Sequence, residues 1–159
     1  MTTGSPSALR LAFLTRVVRK ECQHLTTTDQ RLFREPFTLA RATQLETDPE
    51  LAERVEAFVG RFDRLQDTLG DKLLPALLKA LGERPRAAID NLDRAERLGW
   101  VESADGWMTM RKLRNQMVHE YVDDLSVLSN ALQTAHGFVP TLLAVAKQLT
   151  NEAERRGGA

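Results

Sequence analysis

The chain reads as an all-α domain, a bundle of about five main helices. Three observations predict this. Apolar residues recur at steps of three and four along most of its 159 residues, the spacing of one helix face. Residues that cap and start helices stand where those runs begin. No segment alternates apolar and polar residues between two turns as a half-buried strand does. The length suits a single domain spanning 1–159 with one core, with loose ends at about 1–7 and 154–159.

The elements follow in order. From residue 8 to about 25, Leu11, Leu14, Val17, Val18, Cys22 and Leu25 form one face. The run Thr26-Thr27-Thr28-Asp29 is expected to break it locally, and Glu35-Pro36 marks a boundary, because the residue before proline avoids the helical region. Residues 38–46 are a shorter helix candidate. Asp48-Pro49 is a clear start, an aspartate cap followed by proline at the first helical position. Leu51, Val55, Phe58, Phe62, Leu65 and Leu69 then repeat with the a/d spacing of a helix packed along its length. Gly70 and Pro75 are expected to end or bend it, while Leu73, Leu74, Leu77, Leu78 and Leu81 continue the stripe.

Gly82-Glu83-Arg84-Pro85 is a turn. Ala87, Ile89, Leu92, Ala95 and Leu98 give another helix, stopped by Gly99. A connection with a cap at Ser103 or Asp105 leads to Trp107, Met110, Leu113, Met117 and Val118, with Tyr121 on the same stripe. Asp123 or Asp124 caps the last helix. That helix begins with an uncharged run, 125–146, broken by Ser126, Asn130, Gln133, His136 and Pro140. A spanning helix needs about 20 predominantly apolar residues, so this run is expected in the core or a subunit interface, with a bend at 137–140, and no membrane contact.

Composition narrows the function. Lys+Arg and Asp+Glu both number 22, which argues against a surface coated for duplex nucleic acid but leaves room for a local basic groove. Cys22 is the only cysteine, so no internal disulfide forms, and a lone thiol fits a reducing cytoplasm. The N-terminal residues lack the apolar core of a signal peptide. His24, His119 and His136 have no ligand spacing among themselves or with Cys22, so no metal is expected, and no cofactor loop or serine elbow occurs. Asp63, Asp67 and Asp71 recur every four residues, interleaved with Arg61, Arg64 and Lys72, and read as a solvated, ion-paired face. His24 and His136 read as structural.

Arg114-Asn115-Gln116-Met117-Val118-His119-Glu120-Tyr121 remains. Arg114 and Tyr121 share a face. Arg114 and His119, five apart, lie roughly 140° apart round a straight helix at 100° per residue. They converge only if the helix ends near His119 or if a second subunit supplies one of them.

Preceded by Met110-Arg111-Lys112-Leu113, this segment closely resembles the R-x4-H-x-Y signature of HEPN proteins of the HepT type, with Asn115 matching the polar residue that often follows the arginine. Phe62-Asp63-Arg64-Leu65-Gln66-Asp67 and Ala95-Glu96-Arg97-Leu98-Gly99 also look like that family, and the resemblance spans roughly 51–124. It implies an all-α fold, a homodimer, and a metal-independent ribonuclease acting as a toxin. It also implies a minimal nucleotidyltransferase antitoxin as partner, which would AMPylate Tyr121. Under that resemblance Arg114, Asn115 and His119 are catalytic, and Arg111 and Lys112 extend RNA binding. The family also includes non-catalytic substrate-binding partners of nucleotidyltransferases. A helical dimer scaffold without chemistry is a third reading. Homodimerisation is expected on other grounds too, since the 51–69 stripe and the uncharged run look like more apolar helix face than one domain buries.

Overall fold

The computed structural model describes residues 4–157; the side chains of 119–123 and of Gly157 lie outside that description. Within it the chain is all-helical, with no strand among the described residues. Helix α1 (Pro6–Leu32) is capped by Ser5, whose hydroxyl accepts from Ala8 N. The short α2 (Leu39–Thr43) starts on Thr38 and runs into a 3-10 turn, Gln44–Glu46. Helix α3 (Pro49–Asp67) opens on Asp48, whose carboxylate accepts from Leu51 N at 3.1 Å, with Pro49 in the first turn. A π-helical segment, Thr68–Leu73, carries the chain without interruption into α4 (Leu74–Ala80). Then come α5 (Ala88–Arg97), α6 (Ala104–Asp123) and α7 (Leu125–Gly157). Counting α3 to α4 as one rod gives five long helices and the short α2.

The core lies where α1 meets α3 and α7, and where α6 packs on α7. Leu51, Val55, Phe58, Phe62, Leu65 and Leu69 are all buried, as are Leu128, Leu132, Ala135, Val139 and Leu142 from the uncharged run. Both apolar faces are therefore satisfied inside one chain, so neither supplies a reason for a dimer. Glycines at positive φ end two elements, Gly82 (φ 83°) after α4 and Gly99 (φ 77°) after α5. Ser103 caps α6 through Gly106 N at 2.9 Å, and Asp124 caps α7 through Ser126 N and Val127 N, each at 3.1 Å. Asp123, the other expected cap, has its side chain outside the described residues.

Four local expectations are corrected. Residues 26–29 do not break α1. Leu25, Thr28 and Leu32 continue its buried face, and Arg61 of α3 donates to Thr28 Oγ1 and, at 3.1 Å, to the His24 carbonyl. At the same place Asp29 Oδ1 meets His136 Nδ1 of α7 at 2.7 Å, and the His136 ring stacks on Phe33 at 4.1 Å between centroids. These long-range ties outweigh the weak helix propensity of three threonines. Secondly, of the two outcomes expected at Gly70 and Pro75, an end or a bend, the end is ruled out, since the α3–α4 rod runs through both. The wider π turn takes in Gly70, Pro75 stands in the first turn of α4, and a Cβ at Gly70 would meet Trp107 Nε1 at 3.2 Å, so glycine lets α6 pack closely there. Thirdly, the helices reach into both end segments. Pro6 and Ser7 already belong to α1, and α7 runs to Gly157 with Glu154 ion-paired to Arg19. Lastly, Ile89 and Val118, placed on core faces, are 43% and 54% exposed.

Candidate functional site

Helix α6 carries the motif and turns it by burying its apolar residues. Trp107, Met110, Leu113 and Met117 point into the core, and Gln66 of α3 donates to the Trp107 carbonyl at 3.2 Å. This locks the register of α6 against α3 and leaves Arg111, Lys112, Arg114 and Asn115 outside the core. Together with Met108 they line a shallow depression of about 410 Å³.

Arg114 reaches back across to α3. Its Nη1 donates to Asp67 Oδ1, and its Nε stands 3.7 Å from Asp63 Oδ1. One turn earlier, Arg111 Nη1 pairs with Asp71 Oδ1 at 3.5 Å. The aspartate row on 63, 67 and 71 is thus an ion-paired face, as expected, but its partners are the motif helix rather than Arg61, Arg64 and Lys72. No group of three His, Cys, Asp or Glu side chains among the described residues is arranged to hold a metal.

The electrostatics follow from partial burial. Desolvation disfavours the charged guanidinium of Arg114, yet the Asp67 hydrogen bond and the charges of Asp63, Asp67 and Asp71 hold its pKa above the ordinary value. Asp63 goes the other way. Burial pushes its carboxyl up to about 6, the Arg114 charge opposes this, and neighbouring Asp67 adds to it. Its Oδ1 is buried without a hydrogen-bond donor. Asn115 and Lys112 are exposed beside this pair of ladders.

Helix α6 does not end near His119; it runs on to Asp123. The first route to convergence of Arg114 and His119, a helix end near His119, is therefore not taken. The side chains of His119 and Tyr121 lie outside the described residues. Cys22 is packed against the core, and burial first, then Glu21, pushes its thiol up to about 11, which leaves it unreactive at neutral pH. His136 pins α7 to α1, a structural role.

What the sequence reading missed is the contact between the aspartate row and Arg111 and Arg114. A signal was present: three carboxylates at steps of four on one amphipathic helix, and two arginines three apart on another. No family model, curated protein or solved structure matches this chain. No helix among the described residues is long and apolar enough to cross a membrane.

Proposed function

We propose that this chain is a HEPN protein of the HepT type, a cytoplasmic, metal-independent endoribonuclease toxin that a minimal nucleotidyltransferase antitoxin neutralises by AMPylating Tyr121. The observation that carries the reading is the Arg-Asn-x-x-x-His-x-Tyr segment on an amphipathic helix whose basic side chains line an open depression. RNA brings its own nucleophile, the 2′-hydroxyl. His119 moves the protons, because an imidazole titrates near working pH. Arg114 binds phosphate oxygens with aligned donors and stabilises the charge that gathers in the transition state. Asn115 orients His119 or a phosphate oxygen, and Arg111 and Lys112 extend the phosphate track. An AMP on Tyr121 adds bulk and negative charge beside the site, which repels RNA. Because α6 continues through His119, the site is completed across a homodimer, with Arg114 from one subunit and His119 from the other.

A second reading has an observation of its own. Arg114 is engaged by Asp67 and Asp63, so it also serves as a strut between α3 and α6. A non-catalytic binding partner of a nucleotidyltransferase needs only that strut. Expression of the chain alone separates the two. The toxin reading expects growth arrest, lost in His119→Ala, and arrest by Tyr121→Phe that co-expressed transferase no longer relieves. Normal growth with soluble wild-type protein selects the binding module.

A further inference from the structure

A second concavity lies away from the motif depression, at the turn between α4 and α5. It measures about 470 Å³ and is walled by Arg84, Arg86, Arg94 and Arg97, against the carboxylates of Glu83, Asp90 and Asp93. We infer that this arginine-walled cleft binds the phosphodiester backbone of single-stranded RNA. The choice of RNA among polyanions rests on the ribonuclease reading; the existence of an anion site does not.

Its frame is built before any ligand arrives. Asn91 is buried, accepts from Arg86 N at 2.8 Å and donates to the Arg86 carbonyl at 3.0 Å, which fixes the backbone of the turn. Arg94 is held in a two-pronged pair with Glu83, at 2.8 and 2.9 Å, which fixes the opposite wall. That pair consumes one cation and one carboxylate. Arg84, Arg86 and Arg97 are exposed and form no salt bridge among the described residues, so three guanidinium groups line the opening, with the charge of Arg97 also acting on Glu83. Guanidinium recognises phosphate oxygens with two aligned donors, and three of them round a rigid rim suit successive phosphates.

The walls also say what does not bind. Leu78 is the only apolar side chain in the lining, and no aromatic ring offers a stacking surface for a base. Recognition falls on the backbone and is indifferent to sequence. A concave opening admits one strand, and a chain of zero formal charge lacks the broad basic face that a duplex needs. With Asp90 and Asp93 on the same rim, affinity is modest and salt-sensitive.

The test uses a fluorescent 2′-O-methyl oligoribonucleotide, which binds as RNA but lacks the free 2′-hydroxyl needed for cleavage. Anisotropy is followed at several salt concentrations for the wild type and for the combined Arg84→Gln, Arg86→Gln and Arg97→Gln variant. The Asn91 clamp uses only the Arg86 backbone, so the variant keeps it, and circular dichroism verifies the helices. Binding should weaken about tenfold, and the slope of log affinity against log salt should become shallower by about 2, at roughly 0.7 per phosphate contact on a single strand. Cleavage of ordinary RNA by the wild type is measured alongside. Cleavage with unchanged binding by the variant overturns the cleft and leaves the ribonuclease reading standing. Cleft-dependent binding without cleavage keeps the cleft and removes the ribonuclease. A wild type that fails to bind the oligonucleotide overturns the cleft, whether or not cleavage occurs, and turns attention to an acidic protein surface as its occupant.

Discussion

Asp63 is the residue on which the electrostatics of the motif helix turn. Its carboxyl has a folded pKa of about 6 against an ordinary 3.8, so between those values the folded chain holds a proton that the unfolded chain has lost. The consequence has a definite sign. A raised carboxylate pKa means stability present at low pH and lost as pH climbs from about 4 to about 6. The stability difference between wild type and Asp63→Asn should therefore shift in favour of the variant by on the order of 2–3 kcal/mol from pH 4 to pH 7 in denaturant titrations. A difference that stays flat over that range would mean that Asp63 is not desolvated beside Arg114. Arg114 was legible as a candidate in the sequence, because the motif is local. Its pairing with Asp63 and Asp67 was not, since which helix faces which is decided by packing over more than forty residues of intervening chain.

At the scale of elements, the caps and stripes were legible because they are written within a few residues. Asp48 and Thr38 sit where α3 and α2 start, and Gly99 where α5 stops. Ser103 and Asp124 were each one of two residues named for a cap. The failures share a cause. Residues 26–29 and Gly70 look like helix breakers locally, but each stretch meets a partner far along the chain, Arg61 and His136 in one case and Trp107 in the other. The π segment is the sharper case. Gly70→Ala should improve a helix by propensity alone. Its new methyl group would instead press on the ring of Trp107, 3.2 Å away and fully buried, which would have to shift by a few tenths of an ångström. Overpacking of this kind costs about 1–3 kcal/mol, so the melting temperature should drop by several degrees. A variant that melts higher than wild type would show that the π turn is not shaped by that contact.

For the whole molecule, the all-helical architecture followed from periodicity, whereas the reasoning about association did not survive packing. The stripes at 51–69 and 125–146 are both buried within one chain, against α1 and α6, and among the described residues the large apolar side chains left outside are Leu9, Phe13, Leu39, Ile89 and Val118. The case for a homodimer now rests on the run of α6 past His119, and it has a sharper test than mass alone. If each site joins Arg114 of one subunit to His119 of the other, mixing the inactive Arg114→Ala and His119→Ala proteins should restore about a quarter of wild-type activity, since half of the dimers are mixed and each of those has one intact site. Light scattering showing a monomer at micromolar concentration, or mixtures that stay inactive, would remove the shared site. One reaction is decisive, cleavage of RNA in the presence of EDTA by the purified chain. The expected result is strand scission that EDTA leaves intact, that a 2′-O-methyl substrate resists, and that Arg114→Ala and His119→Ala each reduce by about a hundredfold or more while keeping their helical content. Loss of cleavage in EDTA with rescue by magnesium, or equal activity in the two variants and the wild type, would contradict it.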